Sequence, residues 1–104
     1  MKLTVFNLEK QHNKIVEDLW EWTNNINRFI AKYLNIGDEI YFPEKINLTL
    51  LDGEPLFVVH IERLSASIFA IYDCDSYKYY LSDLEDSSKL QICKILEETY
   101  EKKN

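Results

Sequence analysis

The feature that most constrains this chain lies in its N-terminal third. Leu8, His12, Ile15, Leu19, Trp22, Ile26, Phe29 and Tyr33 recur at alternating spacings of four and three. At about 100° per residue these positions share one arc of roughly 100°, the stripe of an amphipathic helix. Val16, Ile30 and Leu34 widen one side of it. The pattern predicts one long helix over residues 8–34. Asn7 is the expected N-cap, because its side-chain oxygen can accept a free backbone N–H of the first turn. Asn35 and Gly37 are the residues able to take the left-handed conformation that ends a helix.

The middle of the chain changes period. Ile46, Leu48 and Leu50 alternate with Asn47 and Thr49, as in a half-buried strand. Asp52-Gly53-Glu54-Pro55 reads as a turn. Leu56–Leu64, Ser67–Tyr72 and Tyr77–Leu81 read as further strands, and Glu39–Phe42 as a short one stopped by Pro43. Connections this short join antiparallel neighbours, since a parallel crossover needs about a dozen residues. Ser87–Lys102 closes the chain as a helix, with Leu90, Cys93, Leu96 and Tyr100 on its apolar stripe and either Ser82 or Asp86 as its cap. The expectation is an α+β fold: a long N-terminal helix, a four- or five-stranded antiparallel meander sheet and a C-terminal helix, both helices packed on the sheet.

These lengths do not match. A helix of about 27 residues is about 40 Å long, whereas a strand of about seven residues spans about 23 Å. Either the helix bends, at Asn24-Asn25-Ile26-Asn27 where propensity is weakest, or one end overhangs and packs on another chain. The second case makes a homodimer, with the first helix as its seam.

With 104 residues, 46% of them hydrophobic and only two Gly and two Pro, the chain can build one core, so residues 1–104 are expected to form a single domain. Its longest apolar runs, Leu56–Val59 and Ile68–Tyr72, fall far short of the roughly 20 residues of a spanning helix. The stretch Leu3-Thr4-Val5-Phe6 is too short for a secretory leader. Cys74 and Cys93 lie 19 positions apart and form no C-x-x-C pair, the pattern of reduced thiols in a cytoplasmic protein.

The formal net charge is −6, and it is uneven. Residues 1–51 carry seven acids and six bases, and residues 52–104 carry 11 acids and six bases. Such a surface repels phosphate backbones, so direct non-specific nucleic-acid binding is not expected, whereas a basic protein partner is attracted.

Chemical motifs are sparse. His12 and His60 are the two histidines, and nothing in sequence gathers them with Cys74 or Cys93 into a metal set or beside a nucleophile. Asp73-Cys74-Asp75-Ser76-Tyr77 opens like a calcium loop, but Lys78 and Leu84 stand where a Gly and a Glu belong, so a hairpin turn accounts for it. Gly37 and Gly53 alone cannot make a glycine-rich phosphate cradle. No metal or cofactor is expected and no catalytic residue is assigned; an enzyme using His60 with a carboxylate ranks behind binding.

Two features point to an interface. Trp20 projects away from the centre of the helical stripe, as interface anchors often do. Tyr77 and Tyr80 stand among Asp73, Asp75, Asp83, Glu85 and Asp86, an arrangement suited to a basic partner. The expected function is therefore non-enzymatic: a small acidic protein that binds and restrains a basic, nucleic-acid-handling partner such as a nuclease. The alternative is the homodimeric regulatory or scaffolding domain built on the first helix.

Overall fold

A computed structural model of the protein describes residues 4–13 and 19–100, with the side chains of Leu19 and Trp20 left out. Its elements run α1 (Val5–Asn13), α2 (Leu19–Ala31), β1 (Glu39–Thr49), β2 (Pro55–Arg63), β3 (Phe69–Asp73), β4 (Lys78–Tyr80), a 3-10 turn at Leu81–Asp83, and α3 (Asp86–Tyr100). The fold is α+β, and the four strands form an antiparallel meander in the order β1-β2-β3-β4. Helices lie against one face, and the resulting slab measures 37 × 36 × 23 Å.

The long N-terminal helix is replaced by two shorter ones. The Trp22 indole Nε1 donates to the Leu8 carbonyl at 3.2 Å. On one straight helix those residues would stand about 21 Å apart, so α1 and α2 must fold against each other. The rings of His12 and Trp22, at 5.0 Å, and the Asn25 Nδ2 to Gln11 Oε1 bond, at 3.0 Å, say the same. Folding back shortens the layer to the length of the sheet and buries both halves of the stripe, Val5 and Leu8 from α1, and Trp22, Ile26, Phe29 and Ile30 from α2. The predicted weak point at Asn24-Asn25-Ile26-Asn27 is unbroken helix, its Asn25 amide held by Gln11 and Arg28. The length mismatch that would leave a helix end overhanging does not arise, because α2 with its 13 residues is about 20 Å long. Ile15 and Val16 of the predicted stripe lie outside the described residues.

Local chemistry moves the boundaries. Thr4, not Asn7, caps α1: its Oγ1 accepts from the Asn7 backbone N–H at 3.1 Å. Gly37 takes the expected left-handed conformation at φ +93°, and Gly53 does so in the β1–β2 turn at φ +91°. The Glu85 carbonyl accepts from the N–H groups of Ser88 and Lys89 and opens α3.

The predicted short strand at Glu39–Phe42 and the strand at Ile46–Leu50 are two parts of β1, both paired with β2, so the sheet has four strands. Pro43 sits in the irregular stretch between Tyr41 and Ile46, where the missing N–H costs no ladder bond. A second irregularity lies opposite, between Val58 and His60 of β2. Bulges bend a strand and sharpen its twist. The end of the hairpin meets the segment after β4, where Leu50 bridges Leu84, Leu51 N–H donates to the Asp83 carbonyl, and Thr49 N–H donates to Ser88 Oγ at 2.8 Å. The core between the layers includes Leu48, Leu56, Val58, Ile61, Phe69 and Ile71 from the sheet and Ile92, Cys93 and Leu96 from α3.

Candidate interaction surface

The face of the sheet turned away from the helices is set by the bulge at Val59. Val58 points inward, and strict alternation would send His60 inward too. The extra residue resets the phase, so that Ile61 is buried beside Ile40 and Ile71 while His60 faces out. Two cross-strand rows follow on the outer face. One runs Tyr41, His60, Tyr72, Lys78, and the next Glu39, Glu62, Ala70, Tyr80.

The first row is a stack. Tyr41 and His60 have ring centroids 4.2 Å apart at 24°, and His60 and Tyr72 have theirs 4.4 Å apart at 11°. Directly opposed strand residues stand about 4.5–5.5 Å apart, which brings flat rings face to face without strain. Tyr41 is 64% exposed and the His60 side chain only 16%, so the outer tyrosine shields the imidazole.

The second row supplies carboxylates to the first. Glu39 Oε1 lies 3.5 Å from His60 Nε2, and the Tyr72 hydroxyl donates to Glu62 Oε1 at 2.9 Å. The Tyr72 phenol is held above its ordinary value chiefly by that bond, with burial and the Glu62 charge adding to it. Hydrogen bonding to Glu39 raises the Tyr41 phenol in the same way. His60 Nδ1 is buried and has no hydrogen-bond partner. Imidazole beside carboxylate is a pair capable of moving a proton, but both ring faces are covered and one nitrogen is enclosed. The outer face also exposes Tyr80 at 40% and Phe57 at 44%, the latter under the Lys45 ammonium at 5.4 Å.

The residues expected from sequence fall in two groups at opposite ends of β4. At one end Asp73 Oδ1 accepts from the N–H groups of Asp75 and Tyr77, both at 2.9 Å, and closes the β3–β4 turn, which leaves Asp75 and Tyr77 exposed. At the other end Tyr80 joins the outer rows, and Asp83 Oδ2 accepts from its backbone N–H at 2.9 Å. Glu85 is half-buried at the start of α3. Asp86 turns to the helix layer, 3.6 Å from His12 Nε2 and 3.9 Å from Lys89 Nζ. The Trp20 side chain lies outside the described residues.

Sequence reasoning missed Glu39, Tyr41 and Glu62, and named His60 only in the enzymatic reading ranked behind binding, not as part of this face. For Glu39 and Tyr41 the signal was present, since Ile40 and Phe42 alternate with them. For His60 it was not, because the bulge reverses the local period.

Among the described residues no group of three or more His, Cys, Asp or Glu side chains is placed to hold a metal ion, and no helix is long and apolar enough to cross a membrane. Cys74 is exposed and Cys93 buried, both as free thiols. No protein-family model, curated protein or solved structure matches the chain.

Proposed function

We propose that the protein is a non-enzymatic binding protein that holds a basic protein partner on the outer face of its sheet. One observation carries this reading: the stacked row Tyr41–His60–Tyr72 lies directly beside Glu39 and Glu62 on the face opposite the helices. The solvated face of an antiparallel sheet is normally polar. Aromatic planes beside carboxylates suit arginine, whose guanidinium stacks on rings and pairs with carboxylates. Tyrosine-rich, well-packed patches are also where interface energy concentrates.

The net charge of −6 adds long-range attraction for a basic partner. Asp75, Tyr77 and Asp83, exposed at the two ends of β4, would offer the same partner further acidic and aromatic groups. A basic nucleic-acid-handling protein, such as a nuclease, presents the complementary charge, and acids on a rigid sheet would compete with phosphates for it. The role that follows is restraint of that partner, as in inhibitor or immunity-type proteins.

The test is the association rate of an identified basic partner at rising salt. Charge-driven capture slows as salt screens it. Glu39→Lys with Glu62→Lys should slow association more than reversal of Asp73, Asp75 and Asp86, of which Asp73 is engaged in its own turn and Asp86 faces α1. Association indifferent to salt and to both sets of changes would overturn the proposal.

A further inference from the structure

A second site lies on another side of the molecule. A cleft of about 440 Å³ opens between α2, the β2–β3 turn, the segment after β4 and the first turn of α3. That volume falls within the roughly 300–1,000 Å³ of pockets that take small organic ligands. Its apolar wall includes Ile26, Leu64, Ile68, Phe69 and Leu81, and Thr23, Asn27, Ser67 and Ser82 supply hydroxyl and amide groups.

The cleft is held open by the fold. The Arg63 guanidinium donates to the carbonyls of Leu34, Ser65 and Ala66, at 2.9, 3.2 and 2.9 Å, and the Leu64 N–H donates to the Ile68 carbonyl at 2.8 Å. These bonds fix the β2–β3 turn as a rigid rim joined to the end of α2. Ile68 on that rim is 48% exposed, apolar surface that the fold itself leaves uncovered.

Lys89 lines the same cleft and is the buried charged residue among those described, with 9% of its surface exposed. Lysines are almost never this buried unless paired. Among the described residues its carboxylate partner is Asp86, in an ion pair at 3.9 Å that is too long for a hydrogen bond and is shared with His12. Lys89 also lies in the first turns of α3, where the helix dipole disfavours a cation. A lysine placed against both burial and dipole, held by one long ion pair and lining an apolar cleft, has capacity for a closer anion.

We propose that this cleft binds a small amphipathic carboxylic acid, its apolar body against Ile26, Ile68 and Leu81 and its carboxylate on the Lys89 amine. One lysine with hydroxyl and amide neighbours matches a singly charged carboxylate. A phosphate dianion finds no arginine among the described residues of the lining and meets the nearby Asp86. Among the described residues the site shares only Tyr80 with the outer sheet face, so either proposal can fail without the other.

The experiment is an amide chemical-shift titration of the folded protein with hexanoate, with hexan-1-ol and with inorganic phosphate, repeated on Lys89→Met. Hexanoate should give saturable shifts at Phe69, Leu81 and Lys89, with a Kd at least about tenfold below that of the alcohol, a difference of about 1.4 kcal/mol. Phosphate should not bind, and Lys89→Met should bring acid and alcohol to equal affinity. Equal binding of acid and alcohol by the unaltered protein overturns the proposal, as do phosphate binding as tight as hexanoate, shifts outside the cleft, or no saturation at millimolar ligand. So does a Lys89→Met protein that keeps the preference for acid. Should that variant not fold, the acid-to-alcohol ratio of the unaltered protein decides alone.

Discussion

The imidazole of His60 lies nearly parallel to the phenol ring of Tyr72, with 4.4 Å between centroids and 11° between planes, and it buries a nitrogen that nothing hydrogen-bonds. Leaving a polar atom buried without a partner costs about 1–3 kcal/mol, whereas an apolar group of the same shape carries no such cost. His60→Phe keeps the stack and removes the orphaned Nδ1, at the loss of a 3.5 Å approach to a half-exposed Glu39. The variant should be as stable as the parent or more so in thermal denaturation. A loss above about 1 kcal/mol would mean that the ring nitrogens contribute bonds that the geometry does not contain.

Tyr72 should ionise late. Its phenol is raised above the ordinary 10.0 first by the bond to Glu62, so the folded state holds the proton more tightly than the unfolded state. The stability this lends is complete below about pH 10 and is lost as pH rises through the raised value. Glu62→Ala removes both the accepting oxygen and the charge, so the ring resonances of Tyr72 should then titrate at lower pH. An unchanged midpoint would contradict the assignment of Glu62 as the main cause.

The two cysteines should differ sharply. Burial, and to a smaller extent Glu97, push the Cys93 thiol up to about 12, while Lys32 partly offsets them. Cys74 is exposed. A thiol reagent at neutral pH should modify Cys74 quickly and Cys93 only after denaturation, because the thiolate is the reacting species. The Cys93 contribution to stability is intact below the ordinary value of 9.0 and fades as pH climbs toward 12. Rapid reaction of both thiols in the native protein would show that the core around Ile92 and Leu96 opens easily.

The meander was legible because Leu48, Leu56 and Leu81 stand where simple alternation puts buried residues, and the turns at Gly53 and Asp73 carry their own chemistry. The helical layer was half legible. The four-three stripe remains in phase from Leu8 to Phe29, so periodicity reads one helix where there are two, and the evidence of reversal is the bond between Trp22 and Leu8, which no local pattern encodes. The outer face was hidden for a related reason. Period-two counting from Leu56 and Val58 assigns His60 to the core, and a single extra residue in β2 reverses that. Acids are conspicuous in sequence around β4, yet Asp73 and Asp83 spend a carboxylate oxygen on nearby backbone N–H groups. The carboxylates aligned with the aromatic row come from β1 and β2.

If the row Tyr41–His60–Tyr72, flanked by Glu39 and Glu62, recognises arginine on a basic protein, it should bind short arginine-rich peptides. An amide chemical-shift titration with a hexa-arginine peptide, set beside hexa-lysine, tests it most directly, since a lysine ammonium carries equal charge but lacks the planar group that stacks. Shifts should centre on Tyr41, His60, Glu62 and Tyr72, with arginine bound more tightly than lysine and binding weakened by salt. Glu39→Lys with Glu62→Lys should lose about tenfold or more in affinity, about 1.4 kcal/mol. Shifts confined to the β3–β4 turn or the start of α3, or a double variant that binds hexa-arginine as well as the parent, would contradict it.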